Sequence, residues 1–159
     1  MLTVWRITTT KFVDSAFSGD GARLYGGRWN PKGVPVVYTA STQSLATLEL
    51  LVQDGKLLAN YVMVPAIISG RLKVEHVDQG DLPEGWHSAE YLEHLREIGA
   101  DWILRASSAV LAVPSAVIPS ETNYLLNPMH PSFSKIKPGE AQAFATDLRL
   151  LRLLEKRNS

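Results

Sequence analysis

Residues 35–55 read PVVYTASTQSLATLELLVQDG, a short apolar strand followed directly by a leucine-rich helix. Pro35 to Ala40 is rich in β-branched residues, which is typical of a strand. Ser41 or Thr42 can cap the helix that follows, and Gly55 can end it. The stretch therefore predicts one strand and one helix, and the rest of the chain decides in what kind of fold they lie.

Glu49 is the only charged residue in the run from Leu45 to Val52. On a helix, Leu45, Leu48, Glu49 and Val52 share one face, at the i, i+3, i+4, i+7 spacing of a side that packs inward. A carboxylate on such a face is costly to bury. Glu49 is therefore either paired inside the protein or directed into a cavity, and both interpretations stay open for this residue taken alone.

Other elements are predicted on both sides of this stretch. Strands are predicted at Leu2–Thr8, at Tyr61–Ile68 with an interruption or end at Pro65, at Ala109–Val113 and at Gln142–Ala145. Helices are predicted from a Ser88 cap to about Ile98 with Gly99 as the stop, and from Arg149 to Lys156. Loops are predicted at Lys11–Asn30, which is long and glycine-rich, at Gly80–Trp86, and at Ser120–Pro131, where a short helical turn is the alternative.

Strands and helices alternate without a regular strand–helix–strand rhythm. We therefore expect an α+β fold with a mixed or mostly antiparallel sheet, and no doubly wound sheet. The 159 residues suffice for one domain with a substantial core, so residues 1–159 are expected to form a single domain.

Composition excludes several classes of function. The 16 basic and 16 acidic side chains balance, which argues against a nucleic-acid binder, although Arg6, Arg23, Arg28 and Lys32 could line a local basic groove. The chain has no cysteine, so it has no disulfide, thiol nucleophile or zinc–thiolate site. A signal-peptide pattern and a membrane-length apolar run are both absent from the sequence, and we expect a cytoplasmic protein.

The segment from Tyr25 to Asn30, YGGRWN, combines features of a ligand-binding loop. Its glycines permit close approach of a ligand to the backbone, and the Arg28 guanidinium can bind a phosphate or carboxylate in a bidentate manner. Tyr25 and Trp29 offer surfaces for stacking. A tight turn with Arg28 stacked on Trp29 explains the same residues without a ligand.

Three further polar residues are candidates for a binding site, and each could instead have a purely structural role. Tyr38 could form a pocket wall or be a core tyrosine with a satisfied hydroxyl. Ser115 lacks the glycines of a nucleophile elbow and is a site residue or an internal hydrogen bonder. Asn123 belongs to a polar loop whose side chains could equally cap backbone groups. The acidic residues around Arg96 are interpreted as a solvated helix face, and the four histidines lack metal-site spacing.

Taken together, these segments resemble the RES domain family, which is named for its Arg, Glu and Ser positions. The resemblance extends over nearly the whole chain. The matching segments are Trp5-Arg6-Ile7, the Gly-Gly-Arg28-Trp-Asn loop, the Val-Val-Tyr38 strand, Glu49 in its helix, Pro114-Ser115, Asn123–Pro131 and Phe144–Leu150. The family implies a fold similar to that of ADP-ribosyltransferases and the toxin half of a bacterial toxin–antitoxin pair that consumes NAD⁺.

The resemblance also implies roles for individual residues. Glu49 would stabilise the positive charge that develops on the ribose as the nicotinamide–ribose bond breaks. Tyr38 would stack on the nicotinamide ring, and Ser115 would hydrogen-bond the nicotinamide amide or its ribose. These residues and Arg28 form the expected catalytic set, and no metal is needed.

Arg28 is also expected to hold the pyrophosphate of NAD⁺, together with Arg6. Tyr38 and Asn123 complete the expected NAD⁺-binding set. The acceptor of ADP-ribose stays open among water, phosphate and a protein side chain. The alternatives are an RNA-cleaving toxin that uses Arg28, Glu49 and His130, and a non-enzymatic domain that binds a partner.

The implied protein partner is an Xre-type antitoxin with a helix-turn-helix part, and no direct contact with nucleic acid or membrane is expected. The apolar residues of the C-terminal helix exceed what one packing face requires. They suggest a homodimer, and packing of that helix on its own core is the alternative. The residues concerned are Leu148, Leu150, Leu151, Leu153 and Leu154.

Overall fold

The computed structural model describes residues 1–54, 60–144, 147, 149, 150, 152 and 156. The predicted helix end at Gly55 lies outside the described residues, as do Ala145 and most of the predicted C-terminal helix. The prediction of a homodimer through that helix therefore stays a prediction. Among the described helices, none has the length and apolar character needed to cross a membrane.

Eight strands form one sheet in the part of the chain that the structure describes. They are β1 (Leu2–Thr9), β2 (Val37–Ala40), β3 (Tyr61–Ile68), β4 (Val74–His76), β5 (Val110–Pro114), β6 (Thr122–Leu126), β7 (Ile136–Pro138) and β8 (Gln142–Ala143). The described α-helices are α1 (Asp20–Tyr25), α2 (Gln43–Asp54) and α3 (Leu92–Arg105).

The strand order is β4-β5-β6-β2-β1-β3-β7, and β8 pairs with β3 beside β7. Only the β4–β5 pair among these described strands is parallel, and the others are antiparallel. The predicted α+β fold with a mixed, mostly antiparallel sheet is confirmed.

Alternation along the strands gives the sheet two buried faces. On one face, a row that includes Tyr38 packs against α3, and a neighbouring region packs against Leu45 and Ala46 of α2. The opposite face is covered by loops and short turns. Its buried residues are Val4, Val37, Ala66, Ile68, Ala109, Val110, Leu126 and Ile136. Both larger helices therefore lie on the face that carries Tyr38.

The centre of the sheet is only lightly paired between β1 and β2. These strands share a single register pair, Trp5 with Ala40, whereas β1 pairs with β3 along all eight of its residues. The Arg6 side chain bridges the two strands, because its Nη1 donates a hydrogen bond of 3.0 Å to the Tyr38 carbonyl. A side-chain hydrogen bond thus joins the two strands where they share few backbone hydrogen bonds.

Strand β3 continues through Pro65, so the predicted interruption there is wrong. The Pro65 carbonyl accepts a hydrogen bond of 2.8 Å from the Gly139 N–H, which places the proline nitrogen on that same outer side. On that side β7 pairs from Ala66 onward, and β8 pairs only at Val62 and Met63. The missing N–H therefore falls in the gap between two short partners, where no ladder bond is lost.

Helix α3 runs to Arg105, so the predicted stop at Gly99 is wrong. Gly99 is buried within the helix, and a Cβ at this position would lie 1.6 Å from the Trp29 carbonyl oxygen. This glycine permits close packing of another chain segment and does not terminate the helix. Ser88 makes no side-chain capping bond, and a separate 3-10 turn at Ala89–Tyr91 precedes α3.

The segment predicted as a loop from Ser120 to Pro131 contains β6, a central strand of the sheet. Asn123 lies within it, paired with Ala40 of β2 and Val113 of β5. Pairing on both sides outweighs the weak strand preference of asparagine, because strand propensity depends strongly on context.

Two three-residue strands, β4 and β7, were too short to be predicted from a pattern.

Candidate active site

Glu49 lies half-buried on α2, but the predicted inward face of that helix is only partly correct. Leu45 is fully buried, whereas Leu48 is 40% exposed and Val52 is 71% exposed. The buried residues of α2 are Leu45 and Ala46, both in the first turn after the Thr42 cap, whose hydroxyl accepts from the Leu45 N–H at 3.0 Å. The sheet therefore packs only against the first turn of α2. Glu49 lies one turn later, beyond this contact.

The Glu49 carboxylate is held by Ser115. The Ser115 hydroxyl donates to Glu49 Oε1 at 2.6 Å and accepts from the Val117 and Ile118 N–H groups at 3.1 Å each. With two donors directed at its oxygen, the single hydroxyl hydrogen is directed at the carboxylate. Ser115 is fully buried, so this arrangement favours a role in orienting Glu49 over the predicted contact with nicotinamide.

The second carboxylate oxygen of Glu49 has no hydrogen-bond partner among the described residues, and no described cation forms an ion pair with Glu49. Arg28 is not paired with this carboxylate, because its Nη1 donates to the His87 carbonyl. A half-buried carboxylate with one fixed and one unused oxygen is suited to binding a ligand hydroxyl or a developing positive charge.

Tyr38 fixes the glycine-rich loop through its hydroxyl. This hydroxyl accepts from the Trp29 N–H at 3.0 Å and donates to Asn30 Oδ1 at 2.6 Å. Burial raises the pKa of Tyr38 far above its usual value, although the Trp29 hydrogen bond and the charges of Arg96 and Arg28 act in the opposite direction. The phenol is therefore neutral at physiological pH, and it serves as a hydrogen-bonding anchor.

Asn30 closes the same loop from inside. Its fully buried amide donates to the carbonyl oxygens of Ala22 and Val34 at 2.9 Å each. Gly27 lies so close to Tyr38 that a Cβ would be 2.6 Å from the hydroxyl oxygen. The sequence YGGRWN is thus a loop whose glycine makes room for the tyrosine that holds it.

Arg28 extends from this loop and is half-buried. Its Nη1 donates to the His87 carbonyl at 2.9 Å, and its other donors have no partner among the described residues. Trp29 is buried and packs on Trp86, with ring centroids 6.1 Å apart, so it offers no surface to a ligand. Tyr25, in contrast, is 77% exposed. Arg28 is therefore partly anchored and still has donors for an anion.

Arg6 occupies the opening between β1 and β2. Its Nε is buried without a partner within the described residues, and burial lowers the pKa of its guanidinium. Because Arg6 alternates with Trp5 and Ile7, its side chain leaves β1 on the face opposite to that of the Tyr38 ring. A buried guanidinium with unused donors is energetically costly, and such a residue is a candidate for binding an anion. Its contact with a pyrophosphate stays a prediction.

Asn123 lies between the Tyr38 and Ser115 positions on the sheet. Its register partner Ala40 is two residues from Tyr38, and its other partner Val113 is two residues from Ser115, so the three side chains follow one face. The Asn123 amide makes only a long hydrogen bond of 3.4 Å to the Thr39 carbonyl. It is thus available to a ligand that lies across this face.

Metal binding and RNA cleavage would each need a particular set of side chains. In residues 1–54 and 60–144 and the few described residues beyond them, no cluster of three or more His, Asp or Glu side chains could hold a metal. His130 accepts from the Ser132 N–H through Nδ1 and contacts the Ala106 carbonyl through Nε2 at 3.0 Å each. Its role is structural, which does not favour the RNA-cleaving arrangement with Arg28 and Glu49.

Sequence reasoning missed Arg96, which it assigned to a solvated helix face. The Arg96 Nε donates to the Gly27 carbonyl at 2.9 Å, and its side chain is only 27% exposed. No local pattern could have revealed this contact, because the two residues are 69 positions apart. Asn30 was part of the recognised loop, but its role as the internal hydrogen-bonding residue was not predicted.

Replacing Tyr38 with Phe is expected to destabilise the protein by about 1–3 kcal/mol, because the Trp29 N–H and Asn30 Oδ1 both lose a partner in a buried place. Chemical denaturation of the two proteins measures this difference. Tyr124→Phe is a matched control, because no hydrogen bond of the Tyr124 hydroxyl links it to the loop. Equal stability of Tyr38→Phe and the unchanged protein would contradict the anchoring role.

Comparison with known proteins identifies relatives of the chain. The model of the RES domain matches residues 3–147. A protein named Toxin Res from Photorhabdus laumondii is 40% identical, with 94% of this chain and 97% of that protein covered. A protein named Prs ADP-ribosylating toxin from a Sphingobium species is 36% identical, with 93% and 96% covered.

Among solved structures, the chain resembles the crystal structure of the M. tuberculosis MbcT–MbcA toxin–antitoxin complex. The TM-score is 0.71, with 98% of this chain and 89% of the matched chain covered, and sequence identity is 16%. At this identity the likeness shows a shared fold and no more.

Proposed function

Because this chain belongs to the RES domain family, we propose that it is the toxin of a bacterial toxin–antitoxin pair and that it consumes NAD⁺. The names of its relatives, Toxin Res and Prs ADP-ribosylating toxin, support this proposal. The observation that carries it is the Glu49 carboxylate, which Ser115 fixes through one oxygen while the other is unused.

The proposed reaction breaks the bond between C1′ of the ribose and the ring nitrogen of nicotinamide. Nicotinamide leaves with the bonding electron pair and becomes neutral, so positive charge develops on the ribose carbon and ring oxygen. The unused oxygen of Glu49 stabilises this charge or binds a ribose hydroxyl. An acceptor then adds to C1′ and loses its proton. No strong general acid is required, because the leaving group is already cationic in the substrate.

The remaining residues bind and orient NAD⁺ in this proposal. Arg28, with donors left after its bond to the His87 carbonyl, holds the pyrophosphate. Arg6 leaves β1 on the opposite face of the sheet, so its buried guanidinium is a separate candidate for binding an anion. Tyr38 forms the wall beside the nicotinamide, and Asn123 offers its amide on the same sheet face. Ser115 orients Glu49 and touches the substrate only through it.

The acceptor is water, phosphate or a protein side chain. The Sphingobium relative is named as an ADP-ribosylating toxin, which indicates transfer of ADP-ribose by that protein. For this chain, all three acceptors require only an open approach to C1′ opposite the departing nicotinamide.

The purified chain, freed of any antitoxin, is expected to deplete NAD⁺ and release nicotinamide. Mass spectrometry of reactions in water, with added phosphate and with candidate acceptor proteins distinguishes ADP-ribose, its 1-phosphate and a modified protein. Unchanged NAD⁺ in all three reactions, from a folded sample, would refute the proposed activity.

The proposed partner is an Xre-type antitoxin with a helix-turn-helix part, encoded beside this gene. The structure of similar fold was determined as a toxin–antitoxin complex, and the proposal of a protein antitoxin for this chain is made by analogy with it. Such a toxin acts on the cytoplasmic NAD⁺ pool, so we propose a cytoplasmic location. Solvent exposure of Leu48 and Val52 beside Glu49 leaves apolar surface at the site for a partner to cover.

A further inference from the structure

Helix α3 contacts two backbone carbonyl groups of the glycine-rich loop. Arg96 donates from Nε to the Gly27 carbonyl at 2.9 Å. Three residues later on the same helix face, Gly99 lets the Trp29 carbonyl approach so closely that a Cβ would lie 1.6 Å from it. The two carbonyls flank Arg28, so the helix constrains the backbone on both sides of this residue.

The loop needs such a constraint. Gly26 adopts a φ of +73°, and Gly27 has no side chain between the loop and Tyr38. Glycines leave the backbone more conformational freedom than other residues do, which makes ordering them costly. Arg96 supplies a fixed donor to the second of these glycines, immediately before the residue that is proposed to bind phosphate.

The ion pair of Arg96 does not account for its position. Its Nη1 lies 3.5 Å from Glu93 Oε1, and the Glu93 side chain is 85% exposed. An exposed pair of this kind contributes little to stability. In addition, the charges of Arg96 and Arg28 both act on the Tyr38 hydroxyl, so two cations lie near one point of the loop. An anion bound there would relieve their mutual repulsion.

We propose that Arg96 is a positioning residue for NAD⁺ binding: by holding the Gly27 carbonyl, it fixes the turn that directs the Arg28 guanidinium toward the pyrophosphate. This inference rests on the proposed function, because it assigns Arg28 to the phosphates of that substrate. Arg96 acts through the loop and does not touch the reacting atoms.

The test compares Arg96→Met, which keeps the length of the side chain and removes its donors, with Glu93→Gln, which removes only the exposed ion pair. We expect Arg96→Met to raise the KM for NAD⁺ about tenfold with kcat changed less than twofold, because binding is lost equally in the ground state and transition state. Glu93→Gln should change neither value. Arg96→Lys, which keeps the charge but lacks the Nε–H donor, should resemble Arg96→Met and serves if that variant folds poorly.

Two further measurements separate positioning from a general structural role. In a double-mutant cycle, adding Arg96→Met to Arg28→Met should have little further effect on KM, since Arg96 acts through Arg28. Nicotinamide riboside has no phosphate, so its KM should hardly respond to Arg96→Met. An unchanged KM for NAD⁺, additive effects in the cycle, or a fall in kcat alone would overturn the inference.

Binding without turnover distinguishes this inference from the proposed function. Calorimetry with ADP-ribose, which keeps the pyrophosphate and lacks nicotinamide, should show about tenfold weaker binding for both Arg96→Met and Arg28→Met. If the unchanged protein binds ADP-ribose but consumes no NAD⁺, the proposed reaction fails while the positioning role is still measured. If Arg28→Met weakens binding and Arg96→Met does not, the positioning role fails alone.

Discussion

Replacing Glu49 with Gln is expected to lower the rate of nicotinamide release by about 100- to 1000-fold, the range seen when one group that stabilises transition-state charge is removed. The amide has nearly the shape of the carboxylate and can still accept from the Ser115 hydroxyl, which donates at 2.6 Å in the unchanged protein. What the variant loses is the negative charge opposite the developing positive charge on the ribose. Folding should therefore be retained while the chemical step is lost.

The rate is measured as nicotinamide released under single-turnover conditions, with thermal denaturation to verify the fold. Glu97→Gln is the matched control, because Glu97 is exposed on α3 and makes no hydrogen bond or ion pair among the described residues. The control should retain full activity. A Glu49→Gln protein that works at an undiminished rate would remove Glu49 from the catalytic set.

Replacing Gly99 with Ala is expected to be the most destabilising single-methyl change at the site. The new Cβ would lie 1.6 Å from the Trp29 carbonyl oxygen, so either α3 or the loop must shift. Such overpacking costs about 1–3 kcal/mol, occasionally more. Movement of Trp29 would also disturb its N–H bond to the Tyr38 hydroxyl and displace Arg28, so NAD⁺ consumption should fall together with stability.

Chemical denaturation measures the loss, and Gly21→Ala provides the comparison. A Cβ at Gly21 meets nothing within 4 Å, and this residue lies in α1 with no positive φ. Alanine there should leave stability unchanged or raise it by up to about 1 kcal/mol. If both variants had the same stability, close contact between α3 and the loop would not be a determinant of this fold.

Local patterns predicted much of the fold because the elements concerned depend on neighbouring residues. β-Branched alternation located β1 and β3, and the Thr42 cap located the start of α2. The prediction failed where a distant segment decides the structure. β6 is a strand because two strands flank it, and Gly99 lies inside a helix because a loop packs on it.

In the candidate site, too, local features could be predicted and contacts between distant residues could not. Glu49 was singled out because one charge interrupts an apolar helix, and Arg28 because it follows two glycines. The hydrogen bond from Ser115 to Glu49 spans 66 residues, and the bond from Arg96 to Gly27 spans 69. Neither pair has a spacing that a sequence pattern could reveal, so a resemblance brought Ser115 into the set while Arg96 was missed.

These separations have a consequence for synthesis of the protein on the ribosome. A nascent chain that ends before residue 115 contains Glu49 and Arg28 but lacks the hydroxyl that orients the carboxylate. Contacts between distant residues also form late, because the intervening chain must first be closed into a loop. Fragments that end before residue 115 should thus lack the proposed activity, because Glu49 has no hydroxyl to orient it.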